Sequence, residues 1–358
     1  MDSAEGKIKI SVFGPTDHTY SIDRYARELI RGFPPTVEAK LVQYPTFKGL
    51  IRKQIDRFWG YTRFAAGQQG DFNVVITEAY AYLLKTLPGR NTICVCHDMH
   101  GLTYVGPHTA QYRFYYLRYR WALGFLRQAK FIVTVSRNTK AELLRFCPFL
   151  PEEKIIPVHN GLEDHWRRVV PSESRERVRL SYRLGQRRVI LHIGNDLWYK
   201  NTAGLIRAFA QLVGPDLILV HVGSLTPETL AVIRELNVGD RVVQLTDLSD
   251  DALAALYQIA EVFVFPSFSE GFGWPPLEAM ACGCPTICST AGSLREICGD
   301  ASIFVNPADI VDMANAIYRV LHEKDLRDEL IAKGYAQAAK FSWKSTANTF
   351  LELFQRSQ

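Results

Sequence analysis

Short runs of β-branched and other apolar residues recur along this chain with amphipathic stretches between them, and that alternation restricts the fold more than any other property of the sequence. Six runs come first: Lys7 to Phe13, Val37 to Val42, Asn73 to Thr77, Thr92 to Cys96, Phe131 to Val135 and Lys154 to Val158. Six more follow at Val189 to Ile193, Leu217 to Val222, Arg241 to Gln244, Val262 to Phe265, Pro285 to Cys288 and Ser302 to Phe304. Runs of this length read as strands, and the amphipathic stretches between them supply helical crossovers. The pattern therefore predicts an α/β chain of two doubly wound, Rossmann-like parallel sheets covered by helices. Thr226 before Pro227, and Ser249-Asp250 ahead of Ala252 to Ile259, supply the caps and the first-turn proline expected at helix starts.

The segment Ser172-Glu-Ser-Arg-Glu-Arg-Val-Arg179 is highly charged and carries no strand pattern. It places a linker at 171–188, between an N-terminal domain at 1–170 and a C-terminal domain at 189–342. At the end of the chain Trp343, Ala347, Phe350, Leu351 and Phe354 recur at helical spacing, so a helix over 343–358 has an apolar face that must dock. Two such domains facing each other would leave a cleft at the carboxyl ends of both sheets. Open α/β sheets bind ligands there, so functional residues belong in the loops that follow strands.

Composition narrows the class. The chain has 358 residues, 47% hydrophobic and 22% charged, enough for two buried cores. Met1 to Glu5 is polar and acidic, and no apolar run approaches the ~20 residues of a membrane span, so a cytoplasmic location is expected. The seven cysteines include several within apolar runs such as Thr92-Ile-Cys-Val-Cys96, and read as small buried residues in a reducing compartment. Cys94-x-Cys96 and Cys282-x-Cys284 lack four-ligand zinc spacing, so no metal site is expected. Residues 1–165 carry 22 Lys and Arg against 15 Asp and Glu, whereas the chain from Val189 onward has 12 against 20. A polyanion or an anionic membrane surface would meet the basic half.

The segment richest in chemistry follows the run Val262 to Phe265. It reads Pro266-Ser-Phe-Ser-Glu270-Gly-Phe-Gly-Trp274, and then Pro275-Pro276 opens a helix over Leu277 to Cys282 that Gly283 stops. A strand, a glycine loop and a helix N-terminus present outward backbone N–H groups. Gly271 and Gly273 allow the close approach and positive φ that cradling a phosphate requires. Two carboxylates flank this loop, and a carboxylate beside a phosphate is tolerable where it meets neutral hydroxyls. Glu270 suits a hexose diol and Glu278, eight positions on, a ribose diol. Either alone fits a solvated loop residue or a helix-dipole partner; both around one loop point to a nucleotide-diphosphate sugar bound through Glu270, Gly271, Phe272, Gly273, Trp274 and Glu278.

This segment resembles the E-x7-E motif of the retaining GT-B glycosyltransferases of family 4. Asp250-x-x-Leu253-x-x-Leu256-Tyr257 before it and Gly292-Ser-Leu-Arg-Glu296 after it match the same family. The resemblance covers nearly the whole chain, strongly from Val189 to Asp309. It implies a GT-B fold with the last helix crossing back to the first domain. It also implies transfer of a hexose to a glycan or lipid-linked acceptor in polysaccharide assembly, with UDP-glucose favoured as donor over GDP-mannose.

Several other positions take roles from the resemblance. His192-Ile-Gly194-Asn195-Asp-Leu-Trp-Tyr-Lys200 places Lys200 as the phosphate-binding lysine, with Gly194 and Asn195 lining the donor site; Asn195 replaces the arginine common in the family. Cys96-His97-Asp98 matches the family's HD motif, so His97 would lie against the transferred sugar, although a histidine at a strand end is also a common structural residue. The catalytic candidates are thus His97, Glu270 and Lys200, in a front-face reaction that needs no metal and no cofactor. Gly14 and Ser21 flank a first loop that lacks the family's glycine pair, and stand as candidates for phosphate or acceptor contact.

Phe47 to Trp59 and Arg113 to Trp121 are basic and aromatic. They suit peripheral contact with anionic lipid or a lipid-linked acceptor, or else packed helices with snorkelling arginines; nucleic acid is not an expected partner. Two other functions remain open on this architecture, a nucleotide-sugar epimerase and a non-catalytic subunit that binds a sugar nucleotide.

Overall fold

The computed structural model describes residues 7–15, 20–45, 56–103 and 110–356, with residues 56, 57 and 110–112 described by backbone alone. The chain divides into two compact units, Met1–Gly161 with Ser342–Gln358, and Leu162–Phe341.

In the first unit the strands are β1 (Ile8–Phe13), β2 (Val37–Val42), β3 (Phe72–Val75), β4 (Thr92–Cys96), β5 (Phe131–Thr134) and β6 (Ile155–Pro157). They form one parallel sheet in the order β2-β1-β3-β4-β5-β6. All five residues of β4 are buried, because a parallel sheet is covered on both faces. Strand order reverses at β1, so the loops leaving β1 and β3 part at a topological switch point.

The last helix, Trp343–Gln355, packs against the helix Tyr20–Gly32 of this unit. Trp343, Ala347, Phe350 and Phe354 are buried as the spacing requires, and Leu353 takes the inward place that Leu351 was expected to hold. Trp343 meets Tyr25 edge-on at 5.3 Å, and Phe354 stacks on Phe72 at 4.4 Å. The two helices approach so closely that a methyl group on Gly32 would stand 2.4 Å from the Trp343 carbonyl oxygen. Lys130 Nζ donates to the Phe354 carbonyl at 2.6 Å, capping the end of the helix with a cation.

The second unit contains β7 (Arg188–Ile193), β8 (Leu217–Val222), β9 (Val242–Leu245), β10 (Ala260–Phe265), β11 (Thr286–Ser289) and β12 (Ser302–Val305). Its parallel sheet runs β12-β11-β10-β7-β8-β9. This order reverses between β7 and β10.

The division between units differs from the one drawn on charge. It falls at Gly161 and Leu162, and Ser172–Ser181, inside the expected linker, is a helix of the second unit. That helix buries only Val178 and packs on the helix Asp250–Ile259. A helix that buries one residue in ten has no apolar stripe for a sequence reader to find.

Phe350 is fully buried in the interface of the last helix. Phe350→Ala is expected to destabilise the protein by about 3–5 kcal/mol, the usual cost of emptying an aromatic core position. Urea unfolding followed by circular dichroism checks this, with Phe149→Ala, exposed at 54%, as the neutral control.

Candidate functional site

The site in the second unit is built on the reversal between β7 and β10, whose outgoing loops diverge at the carboxyl edge of the sheet. The loop after β7 ends in a tight turn, Trp198–Lys200, followed by Asn201 in the left-handed region at φ 58°. Asn201 Nδ2 donates to the carbonyls of Pro266 and Pro307 at 3.2 and 2.6 Å, and the Phe268 amide donates to the Tyr199 carbonyl at 2.6 Å. The bonds to Pro266 and from Phe268 stitch the β7 loop to the β10 loop, the bond to Pro307 ties it to the loop after β12, and together they bring close two residues 70 positions apart in sequence. Lys200 Nζ lies 2.7 Å from Glu270 Oε1, with side chains only 14% and 10% exposed.

A pair this dry is sensitive to loss of either member, since the survivor would be a buried charge without its partner. The ammonium has three hydrogens and Glu270 Oε1 takes one, leaving donor capacity for an anion. Asn195 is exposed on the same loop, and Gly194 begins it, its amide donating to the Val222 carbonyl. At Gly223, where φ is 143°, a methyl group would stand 2.1 Å from the Gly194 carbonyl oxygen, so the start of the loop is held by backbone packed on backbone.

The backbone of Glu270 is fixed from the other side. Ser293 donates to the Glu270 carbonyl through both its amide and its hydroxyl, each at 3.1 Å, and the hydroxyl also donates to the Phe272 carbonyl at 2.7 Å. Gly292 has φ 60°, and a methyl there would stand 2.5 Å from the Glu270 carbonyl oxygen. The sequence contained this support as Gly292-Ser293 but gave it no role, because a contact across 22 residues has no local signature.

Within the glycine loop the left-handed residue is Gly273, at φ 107°, and not Gly271. Gly273 is the N-cap of the helix Trp274–Ala281; Pro275 and Pro276 in its first turn carry no N–H, so the positive end of the helix dipole is presented through the amides of Trp274 and Leu277. The Phe272 ring, on the loop expected to bind donor, is buried, meeting Phe341 at 5.9 Å and Trp274 at 6.0 Å. Trp274 is half-buried.

Glu278 lies one turn into this helix and is 3% exposed. Its Oε2 accepts from the Tyr257 hydroxyl at 3.0 Å. Burial, and then the neighbouring carboxylate, push the Tyr257 phenol well above its ordinary range, so it stays protonated as the donor. Trp166 meets the Tyr257 ring edge-on at 5.9 Å, and Cys282 Sγ contacts the Trp166 carbonyl at 3.2 Å. Tyr257 was visible only as part of a motif; its hold on Glu278 is a tertiary fact.

His192, the first residue of the motif that ends at Lys200, is fully buried within the sheet. Its Nδ1 lies 2.9 Å from the Val264 carbonyl, and burial together with His221 pushes it down to about 3, so it is neutral. It ties β7 to β10.

His97, Gly14 and Ser21 belong to the first unit. His97 follows β4, and its Nε2 lies 2.7 Å from the Ile76 carbonyl, which makes Nε2 the protonated nitrogen and Nδ1 the acceptor. Burial lowers its affinity for a second proton, and its ring meets Tyr25 edge-on at 4.9 Å. Its backbone N–H donates to Glu78 Oε2 at 3.2 Å, and Glu78 Oε1 accepts from the Tyr119 hydroxyl at 2.7 Å. Burial, and next Asp98, push the Glu78 carboxyl up to about 7. Gly14 continues β1, its amide donating to Val42 and its carbonyl accepting from the Tyr61 hydroxyl at 2.7 Å. Ser21 is exposed in the first turn of Tyr20–Gly32, and the loop between them, 16–19, lies outside the described residues. All seven cysteines are unpaired and buried, and among the described residues no three His, Cys, Asp or Glu side chains group as metal ligands would.

Comparison with known proteins bears on both units. A family model described as glycosyl transferases group 1 matches residues 174–337, and one described as glycosyltransferase family 4 matches residues 5–166. A serotype-specific mannosyltransferase, WbdA of Escherichia coli, is 30% identical over 282 residues, 74% of this chain and 33% of the relative. The O-antigen chain mannosyltransferase B of Escherichia coli is 31% identical over 236 residues, 64% of this chain and 61% of the relative. The chain thus spans about one third of the WbdA proteins it matches. Among solved structures, Anabaena HepE in complex with UDP-glucose superposes with a TM-score of 0.80 at 16% identity, over 96% of this chain and 98% of that one. WaaG, a glycosyltransferase involved in lipopolysaccharide biosynthesis, gives 0.73 at 17% identity, over 98% and 100%. At these identities the likeness establishes the fold, which is of the GT-B type.

Two predictions follow from the supports of the site. Gly292→Ala is expected to weaken nucleoside-diphosphate binding at least tenfold by calorimetry, because it displaces the Glu270 backbone. Gly185→Ala, at φ 58° but with open space around it, bears only the ~1–3 kcal/mol of a left-handed residue and leaves binding intact. For Glu78, a folded-state value raised above the unfolded one means that its contribution to stability is complete below about pH 4.3 and is lost as pH rises through about 7. Glu78→Gln should remove that component, so denaturant midpoints measured between pH 5 and 8 should fall less steeply with pH in the variant than in the parent.

Proposed function

Because the chain belongs to the group 1 glycosyl transferases of family 4, we propose that it transfers a hexosyl group, with retention, from a nucleotide-diphosphate sugar to a glycan or lipid-linked acceptor in polysaccharide assembly. The observation that carries this reading is the Lys200–Glu270 pair at the carboxyl edge of β7 and β10, with Glu278 held by Tyr257 eight residues on. A cation suited to a diphosphate stands beside a carboxylate suited to sugar hydroxyls, and a second carboxylate, suited to another diol, is aimed by a phenol.

In the reaction we assign, an acceptor hydroxyl attacks the anomeric carbon on the face from which the diphosphate leaves. The bond from that carbon to the phosphate oxygen breaks, and the hydroxyl proton passes to the departing phosphate. Charge grows on the diphosphate as the bond breaks, so donors already fixed in place favour the transition state over the bound donor. Lys200 and the positive end of the helix Trp274–Ala281 take that role, and the reading gives it to no metal ion. Glu270 exchanges part of its bond to Lys200 for hydroxyls of the hexose.

The sequence reading favoured UDP-glucose. Relatives at about 30% identity are named mannosyltransferases, which supports a mannosyl donor such as GDP-mannose; HepE, bound to UDP-glucose, shares only the fold. Thermal-shift titration of the two donors decides between them.

Loss of one charge-assisted contact to a diol costs about 1.5–3 kcal/mol, or roughly 10- to 100-fold. Glu278→Ala is expected to raise the donor KM by that factor with kcat little changed, and Glu270→Ala to lower kcat chiefly. Unchanged kinetics in both variants would refute the assignment. A wild-type protein that binds donor without releasing nucleotide, with acceptor present, would instead be a binding subunit, and one that converts the donor sugar without release would be an epimerase.

A further inference from the structure

The loops after β7 and β10 are bridged by rings as well as by charge. Trp198 stacks on the half-buried Phe268, with ring centroids 6.1 Å apart and planes 27° apart. Each stands two positions before a member of the Lys200–Glu270 pair, so the aromatic stack and the ion pair are successive rungs between the same two loops. The backbone bond from Phe268 to Tyr199 runs between the rungs, and Lys200 Nζ rests over the Tyr199 ring at 5.2 Å. The donor chemistry leaves Trp198 unused, yet its indole is 58% exposed and Leu197 beside it 48%. A scattered exposed apolar side chain needs no explanation. This one is held in a turn pinned on both sides, backed by a second ring, and set next to the ion pair.

Area and charge identify what this ring meets. A protein partner in a stable complex covers about 800 Å² a side, whereas a tryptophan buries only about 150–250 Å². An anionic surface would need cations, and the only charge from Asn195 to Tyr199 is Asp196. A flat, rigid apolar face of this size, beside groups suited to phosphate and hydroxyls, fits one pyranose ring. A pyranose carries C–H bonds on its faces and hydroxyls round its rim. Its C–H face sheds water against the indole, while the rim stays wet or meets polar side chains such as the exposed Asn195 of the same loop. The donor hexose is held through its hydroxyls at Glu270, so a ring stacked on Trp198 belongs to the sugar that must come next to it, that of the acceptor. We propose that Trp198, backed by Phe268, is a stacking platform for a pyranose ring of the acceptor. The proposal rests on the transferase reading and narrows its acceptor, lipid-linked or free, to one that presents a sugar ring beside the bond to be formed.

Saturation-transfer NMR on the full chain tests it, with UDP or GDP present and linear manno-, gluco- and galacto-oligosaccharides as probes. At least one series is expected to bind, with magnetisation reaching the C–H protons of a sugar ring. In that series Trp198→Ala should weaken binding about tenfold, the worth of one apolar ring face, and Trp198→Tyr should restore most of it. In transfer assays the KM for the same probe should rise by that factor in Trp198→Ala with kcat unchanged. Nucleoside-diphosphate affinity, donor hydrolysis without acceptor and melting temperature should match the parent in both variants. Oligosaccharide binding that is equal in the parent and Trp198→Ala, or absent from the parent in every series, overturns the proposal. So does a loss of nucleotide affinity in Trp198→Ala, because the indole would then hold the base. Failure of the transferase reading looks different: the parent would release no nucleotide from any donor, while oligosaccharide binding would still depend on Trp198.

Discussion

The reversal of strand order between β7 and β10 is the constraint on which the rest of the second unit depends. Lys200 and Glu270 each follow a strand by several residues, and nothing local holds either where the other can reach it. Adjacent strands with diverging loops create the space, and the Asn201 side chain and the Phe268 amide then fix the loops at one separation. The ion pair is the product of that topology and has little stabilising value of its own, since drying two charges costs about as much as their attraction returns. A polar pair kept under those terms at a ligand-binding edge is better explained by what it binds than by what it stabilises.

The supports around Glu270 share one design. Gly292 lets a backbone pass within a methyl group's reach of Glu270, and Ser293 then secures two carbonyls with one hydroxyl. Glu278 is held by a side chain, Tyr257, itself wedged by Trp166. Both carboxylate heads are held, Glu270 by Lys200 and Glu278 by Tyr257, and Glu270 has its main chain immobilised as well.

Most of the fold was legible in the sequence because parallel strands buried on both faces are written as continuous apolar runs. All twelve runs correspond to strands, within two residues at each end. The Lys200, Glu270 and Glu278 positions were legible because loop, glycine and helix start are local patterns. What could not be read is tertiary. Ser172–Ser181 looks like a linker because its one buried residue, Val178, leaves no stripe. The packing of the Phe272 ring against Phe341, from the far end of the unit's sequence, is likewise a tertiary contact. The positive φ that two glycines were equally able to supply falls on Gly273 because that residue is the N-cap.

Glu78 shows the same limit in the first unit, with a consequence for chemistry. In sequence it is one acidic residue after a strand. In the structure its two oxygens take the His97 amide and the Tyr119 hydroxyl, so one carboxylate joins the strand end that carries His97 to the helix Ala110–Leu123. Burial and Asp98 both oppose its ionisation, and three hydrogen bonds, from the Tyr119 hydroxyl and the amides of Glu78 and His97, favour it, leaving the group poised near neutrality. A protonated Glu78 has one acceptor turned into a donor, so it keeps both partners only by reversing its bond to Tyr119, whose hydroxyl then donates to the Asp98 carbonyl 3.3 Å away. The direction of the hydrogen bonds between the His97 amide and the helix that carries Tyr119 is therefore linked to the charge of one buried carboxyl.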